Sequence, residues 1–234
     1  MAYRQSRARR RFDVEVGRLL GTVREAHSSK CSSSAVREFA LCSAVLLCSA
    51  RMESYIEDLL ADWGGAVKTQ ILTTEKLPRR IRAFLLNQPA VVAAYRQYIV
   101  DGDEAGILTK LETLIGGPHY DFAIDGRRVP PFAVEVVYKD RKYPSPKNIR
   151  KLFGRFGVMN VFDELDRIAR RDTEAMLTSF NDLRTEMAHV GVPVGLNAAD
   201  IKQHIQNVQT LVGYIDRMFF GHVSRSVGAA CWMV

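Results

Sequence analysis

The stretch that decides the fold runs from Asp172 to Phe219, DTEAMLTSFNDLRTEMAHVGVPVGLNAADIKQHIQNVQTLVGYIDRMF. In its first half Met176, Phe180, Leu183, Met187 and Val190 recur at spacings of four, three, four and three, the period of one helix face. Asp172 can cap that helix. In the second half Ile201, Ile205, Val208, Val212, Ile215 and Phe219 form an equal stripe. That helix starts at Asn197, with Asp200 in its positive first turn. Only Gly191 to Leu196 lies between the two, so they are antiparallel neighbours.

Working outward, the chain stays helical. Phe12, Val16, Leu19, Leu20 and Val23 mark a basic N-terminal helix over about residues 4–27. After the polar loop Ser28–Ser34, whose last serines offer N-caps, a long helix runs from about Val36 to Trp63. Its apolar positions are Phe39, Cys42, Leu46, Met52, Ile56, Leu59 and Leu60, and Gly64-Gly65 is read as its stop. Shorter helices follow from Pro78 to near Asn87, from Pro89 to about Val100, and from Glu104 to Ile115. Residues 120–146 change character. They hold Asp125-Gly126, Pro130-Pro131, Pro144 and Pro146, and β-formers crowd Phe132–Tyr138. This irregular insert reads as a loop with room for one small hairpin. Ser145-Pro146 then opens a short basic helix, and Val161 to Arg171 continues as helix. Residues 222–234 read as a loosely held tail. The expectation is an all-α antiparallel bundle, residues 1–234 forming a single domain.

Composition narrows the function. With 234 residues, 47% apolar and 25% charged, the chain can bury a core without staples and is neither collagenous nor low-complexity. Lys and Arg exceed Asp and Glu by 33 to 26, a net +7, which favours an anionic partner, nucleic acid being the commonest. Cys31, Cys42, Cys48 and Cys231 form no C-x-x-C pair, and the five histidines are scattered, so neither a metal nor a cofactor is expected. A reducing cytoplasm is the simplest location. The N-terminal arginines are followed by Asp13 and Glu15, which leaves no signal-type apolar run, and Phe39–Ala50 is too short to span a bilayer. Phosphate-cradling glycine loops, G-x-S-x-G elbows and His-Glu-x-x-His are missing, and no helix-turn-helix can be placed for a DNA-binding regulator.

Two side chains of the quoted stretch carry chemistry. Arg184 falls about 40° from Phe180 on the helical wheel, at the edge of the apolar stripe. A guanidinium there must be paired or must line a cleft. His189 falls about 140° from Arg184, so one straight helix does not bring the two together. Either the helix unwinds near His189, as Gly191 and Pro193 allow, or the two meet across a dimer. Basic clusters lie at Arg4–Arg11 and at Lys139–Arg155, the latter with Arg141, Lys142, Lys147, Arg150 and Lys151. Tyr138 and Tyr143 could stack on unpaired bases there. A solvated surface accounts for the same charges.

The segment Arg184-Thr185-Glu186-Met187-Ala188-His189-Val190-Gly191 resembles the Arg-Asn-x-x-Ala-His-Gly signature of HEPN (higher eukaryotes and prokaryotes nucleotide-binding) domains, in particular the RiboL-PSP-HEPN branch of bacterial conflict systems. Leu41–Leu60 is similar to that group's early long helix, and Pro146–Gly157 to the stretch before its signature helix. Here Thr185 stands where the family usually has Asn, and Val190 displaces the glycine by one. The resemblance, over roughly Val36–Phe219, implies a helical bundle that dimerises and cleaves RNA without metal. Arg184 would hold the scissile phosphate, His189 would move protons, and Thr185, Glu53 and Glu57 would support them. A bacterial toxin or antiviral effector with a cognate antitoxin or regulatory protein would follow. The alternative is a catalytically silent HEPN-like module that binds a partner protein or a nucleotide.

Overall fold

The computed structural model describes residues 2–87, 89–140 and 143–233. Its helices in chain order are α1 (Arg7–Ala26), α2 (Ser34–Gln70), α3 (Arg79–Leu86), α4 (Pro89–Asp101), α5 (Glu104–Ile115), α6 (Glu135–Tyr138), α7 (Pro146–Arg155), α8 (Val161–Ala169), α9 (Thr173–His189) and α10 (Ala198–Ser226). Short 3₁₀ helices stand at Thr74–Lys76, Pro118–Ala123 and Ala229–Cys231. No strand occurs among the described residues, and the fold is all-α.

Short polar side chains start these helices. Ser6, Ser33, Asp103, Ser145 and Asp172 each accept a backbone amide three residues ahead. Asn197 and Asp200 make a reciprocal capping box at the head of α10. The expected α9–α10 pair forms, and all six positions of the α10 stripe are buried. On α9, Phe180, Leu183 and Met187 are buried, Leu177 and Asn181 join them, Met176 is half-buried and Val190 is exposed.

α2 is the axis against which α1, α9 and α10 pack. It differs from expectation in two ways. Its buried stripe begins at Leu41, Ala44, Val45 and Cys48, while Phe39 is 75% exposed, because the opening turns of α2 extend beyond the neighbouring helices. Gly64-Gly65 does not end it either. Gly64 is buried mid-helix where a Cβ would overlap the side chain of Val134, so the missing side chain serves close packing rather than termination. An 18-residue window of α2 has a mean hydropathy of 1.3, and 44% of it is buried in the bundle.

Among the described residues the insert forms no hairpin. Its extended part pairs with residues before α3 through one antiparallel bridge, Thr73 to Arg128, flanked by Thr74 N–H to Arg127 O (2.9 Å) and Val129 N–H to Leu72 O (3.0 Å). Pro130-Pro131 lacks amide donors and stops any ladder there. The β-formers that follow wind into α6, where burial of Val137 and Tyr138 outweighs local propensity. Arg82 of α3 clamps the insert by donating to Phe122 O (2.6 Å) and pairing with Asp125 (2.6 Å).

The C-terminal residues are packed, not loose. α10 continues to Ser226, and beyond it Cys231 and Trp232 are buried. Trp232 meets Phe219 and Phe220 edge-on and donates its indole N–H to Arg4 O (2.9 Å). Below this cover Asp216 of α10, fully buried, accepts from Tyr3 (2.7 Å), from the Ser6 amide and hydroxyl, and from Tyr55 (3.1 Å). Both chain ends are thus tied to α10. In contrast, α4 and α5 lean on each other and contain no buried residue.

Candidate functional site

Arg184 lies where the wheel puts it, half-buried at the edge of the α9 stripe. Its guanidinium sits over the ring of Tyr143, 5.6 Å from the centroid. That ring is held from two sides. Asn181, one turn before Arg184, donates its side-chain amide to Pro144 O (3.2 Å), and Asn148 of α7 donates to Tyr143 O (2.9 Å). The loop before α7 is therefore pinned against α9, and Tyr143 becomes a platform for the arginine rather than a free stacking surface.

The polar groups of this cluster are incompletely matched. Arg184 Nε and Asn181 Oδ1 are both buried without a hydrogen-bond partner. Among the described residues no carboxylate stands within ion-pair distance of Arg184. An unmatched donor on a half-buried cation leaves that group able to accept an anionic partner. Thr185 is engaged locally, its hydroxyl donating to Asn181 O (2.8 Å).

Glu53 and Glu57 are half-buried on α2, but neither forms an ion pair with Arg184 among the described residues. The helix register explains this. Gly191, just past α9, lies against Glu38 in the opening turns of α2. α9 descends antiparallel to α2 from that level, so Arg184 lies about 10 Å below Gly191. Glu53 lies about 22 Å beyond Glu38, about 12 Å and so more than two turns past the arginine.

His189 is the last residue of α9 and is exposed. The helix stays intact through it, since Val190 N–H still bonds to Glu186 O (2.8 Å), and the chain leaves helical geometry only at Val190 and at Gly191 (φ 94°). Arg184 and His189 therefore stay on faces about 140° apart and about 7.5 Å apart along the axis within one chain. Unwinding before His189, one of the two routes to a joint site, does not occur. Next to His189 in the chain Val190 is 78% exposed and Val194 fully so, and Val36 and Phe39 are exposed in the opening turns of α2, whose Glu38 meets Gly191.

Residues 24–219 match the RiboL-PSP-HEPN family. The chain belongs to that family. Neither the characterised proteins nor the solved structures searched gave a match. Membership in the RiboL-PSP-HEPN family points to a nuclease or a nucleotide-binding module. The matched span holds the whole of α2 to α9 and leaves most of α1 and the packed C-terminal residues outside.

The expected basic residues divide. Arg141 and Lys142 lie outside the described residues. Lys147 and Lys151 are exposed one turn apart on α7. Arg150 pairs with Glu174 and covers the Phe162 ring at 4.9 Å. Three arginines of the N-terminal cluster are engaged: Arg7 with Asp62, Arg9 with Asp13 and Arg11 with Asp58. Among the described residues no group of three or more His, Cys, Asp or Glu is placed to hold a metal ion. Sequence reasoning did not single out Asn181 or Asn148, and it gave Tyr143 a different task. Asn181 lies three residues before Arg184, so its position on the same helix face was the available signal.

Proposed function

We propose that the protein is an endoribonuclease that cleaves RNA by attack of a ribose 2′-OH on the adjacent phosphate. One observation carries this reading. A half-buried arginine, braced on an aromatic ring and lacking a carboxylate partner, is suited to a phosphodiester. Its guanidinium can bind two phosphate oxygens and offset charge as the phosphorane forms. His189, exposed at the end of α9, is the proton carrier. The 2′-oxygen bonds to phosphorus as a histidine takes its proton. The P–O5′ bond breaks as a protonated histidine gives a proton to the departing oxygen. The products are a 2′,3′-cyclic phosphate and a 5′-OH.

The reaction needs two proton transfers, and one chain keeps its histidine away from its arginine. A homodimer resolves both points, because a two-fold axis near the end of α9 adds a second His189 and a second Arg184. Val190 and Val194, exposed close to His189 in the chain, support an interface there. Such a contact buries on the order of 1,000 Å² or more. Activity of this kind suits a bacterial toxin or antiviral effector held in check by a cognate protein.

Thr185 favours a second reading, a silent nucleotide- or protein-binding module, because its hydroxyl is committed to Asn181 O. Incubation with total RNA in EDTA separates the two. Cleavage by the native chain, lost in the Arg184→Ala, His189→Ala double variant, supports the ribonuclease. Intact RNA with both proteins supports the silent module.

A further inference from the structure

Between α3 and the second half of α7 lies an open groove of about 730 Å³, away from the Arg184 cluster. Five of its lining side chains are cations, Arg79, Arg80, Arg150, Lys151 and Arg155, and no carboxylate lines it among the described residues. Two of them build the groove. Arg155 grips Asp140 with both terminal nitrogens (2.8 and 2.9 Å) and lies over the Phe84 ring at 4.4 Å, which ties α3 to α7. Arg150, paired with Glu174, forms part of the wall. The other three, Arg79, Arg80 and Lys151, are exposed and make no ion pair among the described residues.

The placement of Arg79 and Arg80 is a second, independent observation. They are the first two residues of α3, whose first turn carries no acid. Cations at that pole oppose the helix dipole and weaken the helix that bears them. Placing two there, beside a third uncompensated cation, fits attraction of an external anion better than support of the fold. The form of the groove narrows the anion. A small metabolite is usually enclosed by its pocket, whereas this one is open and presents three cations that make no ion pair among the described residues. Lys147 and Lys151 extend the charge along α7, and Tyr143, just before α7, carries Arg184. The helix between them is about 15 Å long.

We propose that the α3–α7 groove binds the backbone of single-stranded RNA, which runs along α7 from Arg184 to Arg79 and Arg80. The direction of the strand rests on the ribonuclease reading; the binding surface does not. The test is anisotropy of a short fluorescent single-stranded RNA against salt, in a His189→Ala background that keeps the strand intact. The probe variant is Arg79→Glu with Arg80→Glu. Its affinity should fall on the order of tenfold or more, and the slope of log affinity against log salt should flatten by about 1.4, the share of two phosphate contacts on a single strand. Its melting temperature should not fall, because glutamates suit the first turn of a helix. Equal affinity and slope in the variant would overturn the groove while leaving the ribonuclease reading intact. Loss of binding in the variant, with RNA left uncut by the native chain, would uphold the groove and sink the ribonuclease. An absence of RNA binding by the His189→Ala protein, or tighter binding of a labelled poly-glutamate peptide than of RNA, would overturn the groove, the latter in favour of an acidic protein partner.

Discussion

Arg184 is a single side chain whose placement costs the fold. Its Nε is buried without a partner, and its charge is balanced by no neighbouring carboxylate among the described residues. Arg184→Met keeps the length of the side chain and removes the unmatched charge. Thermal melting should show this variant as stable as the native chain or more so. RNA cleavage should fall by a factor on the order of 10² or more. A melting temperature lowered together with activity would point instead to a structural arginine. His189→Ala should lower cleavage by a similar factor, with cleavage by the native chain persisting in EDTA. His222 is a histidine of another kind. Burial pushes its pKa below the ordinary 6.5, helped by nearby Arg225, while the hydrogen bond from Nε2 to Phe156 O (2.7 Å) and the charge of Glu164 act in the opposite direction. The fold thus prefers the neutral ring. Its contribution to stability is complete above pH 6.5 and is lost as pH falls through the lower folded value. Denaturant midpoints between pH 7 and pH 5 should decline, and His222→Gln should flatten that decline.

At the scale of elements, two adjacent glycines of α2 have opposite roles. Gly64 faces Val134, and a methyl group there overlaps that side chain. Gly65 faces open space. Gly64→Ala should cost about 1–3 kcal/mol through overpacking, and Gly65→Ala should add about 0.5–1 kcal/mol through helix propensity. Urea unfolding of the two variants measures both. If both alanines stabilise, then α6 does not press on α2 as described. The same contact explains why α2 runs past a glycine pair that resembles a helix stop. Termination by glycine depends on a left-handed residue at the cap, and neither Gly64 nor Gly65 has a positive φ.

At the scale of the whole molecule, the chain ends close the bundle. Asp216 is fully buried and accepts from Tyr3, Ser6 and Tyr55, and Trp232 covers the same end of α10. Burial, together with the Asp216 carboxylate, pushes the Tyr3 and Tyr55 hydroxyls above their ordinary range, so both remain donors. Asp216→Ala strands these buried donors and should destabilise the protein by about 3 kcal/mol. Trp232→Ala should lower stability by about 2–4 kcal/mol. Chemical denaturation of each checks this, and a tail that can be deleted from residue 227 onward without change in the midpoint would contradict it.

Much of this architecture is written in local pattern. The α9–α10 pair, the caps Ser145, Asp172 and Asn197, and the position of Arg184 at the rim of a stripe all follow from helical period and short-range hydrogen bonding. So does the divergence of Arg184 from His189, since the angle between two positions of an intact helix is a property of the helix alone. The period does not say which helix lies opposite. Glu53 and Glu57 lie on the helix beside α9 but make no ion pair with Arg184 among the described residues, because the contact of Gly191 with Glu38 puts them further along α2 than the arginine. Tyr143 reaches Arg184 through a loop pinned by Asn181, 37 residues away from its acceptor in Pro144. The basic groove exists because Arg155 stacks on Phe84 and draws α3 to α7. Tyr3 meets Asp216 across 213 residues. Local propensity and spacing are fixed by neighbours in the chain, whereas register, pairing of buried charge and closure of the ends depend on which distant surfaces exclude water together.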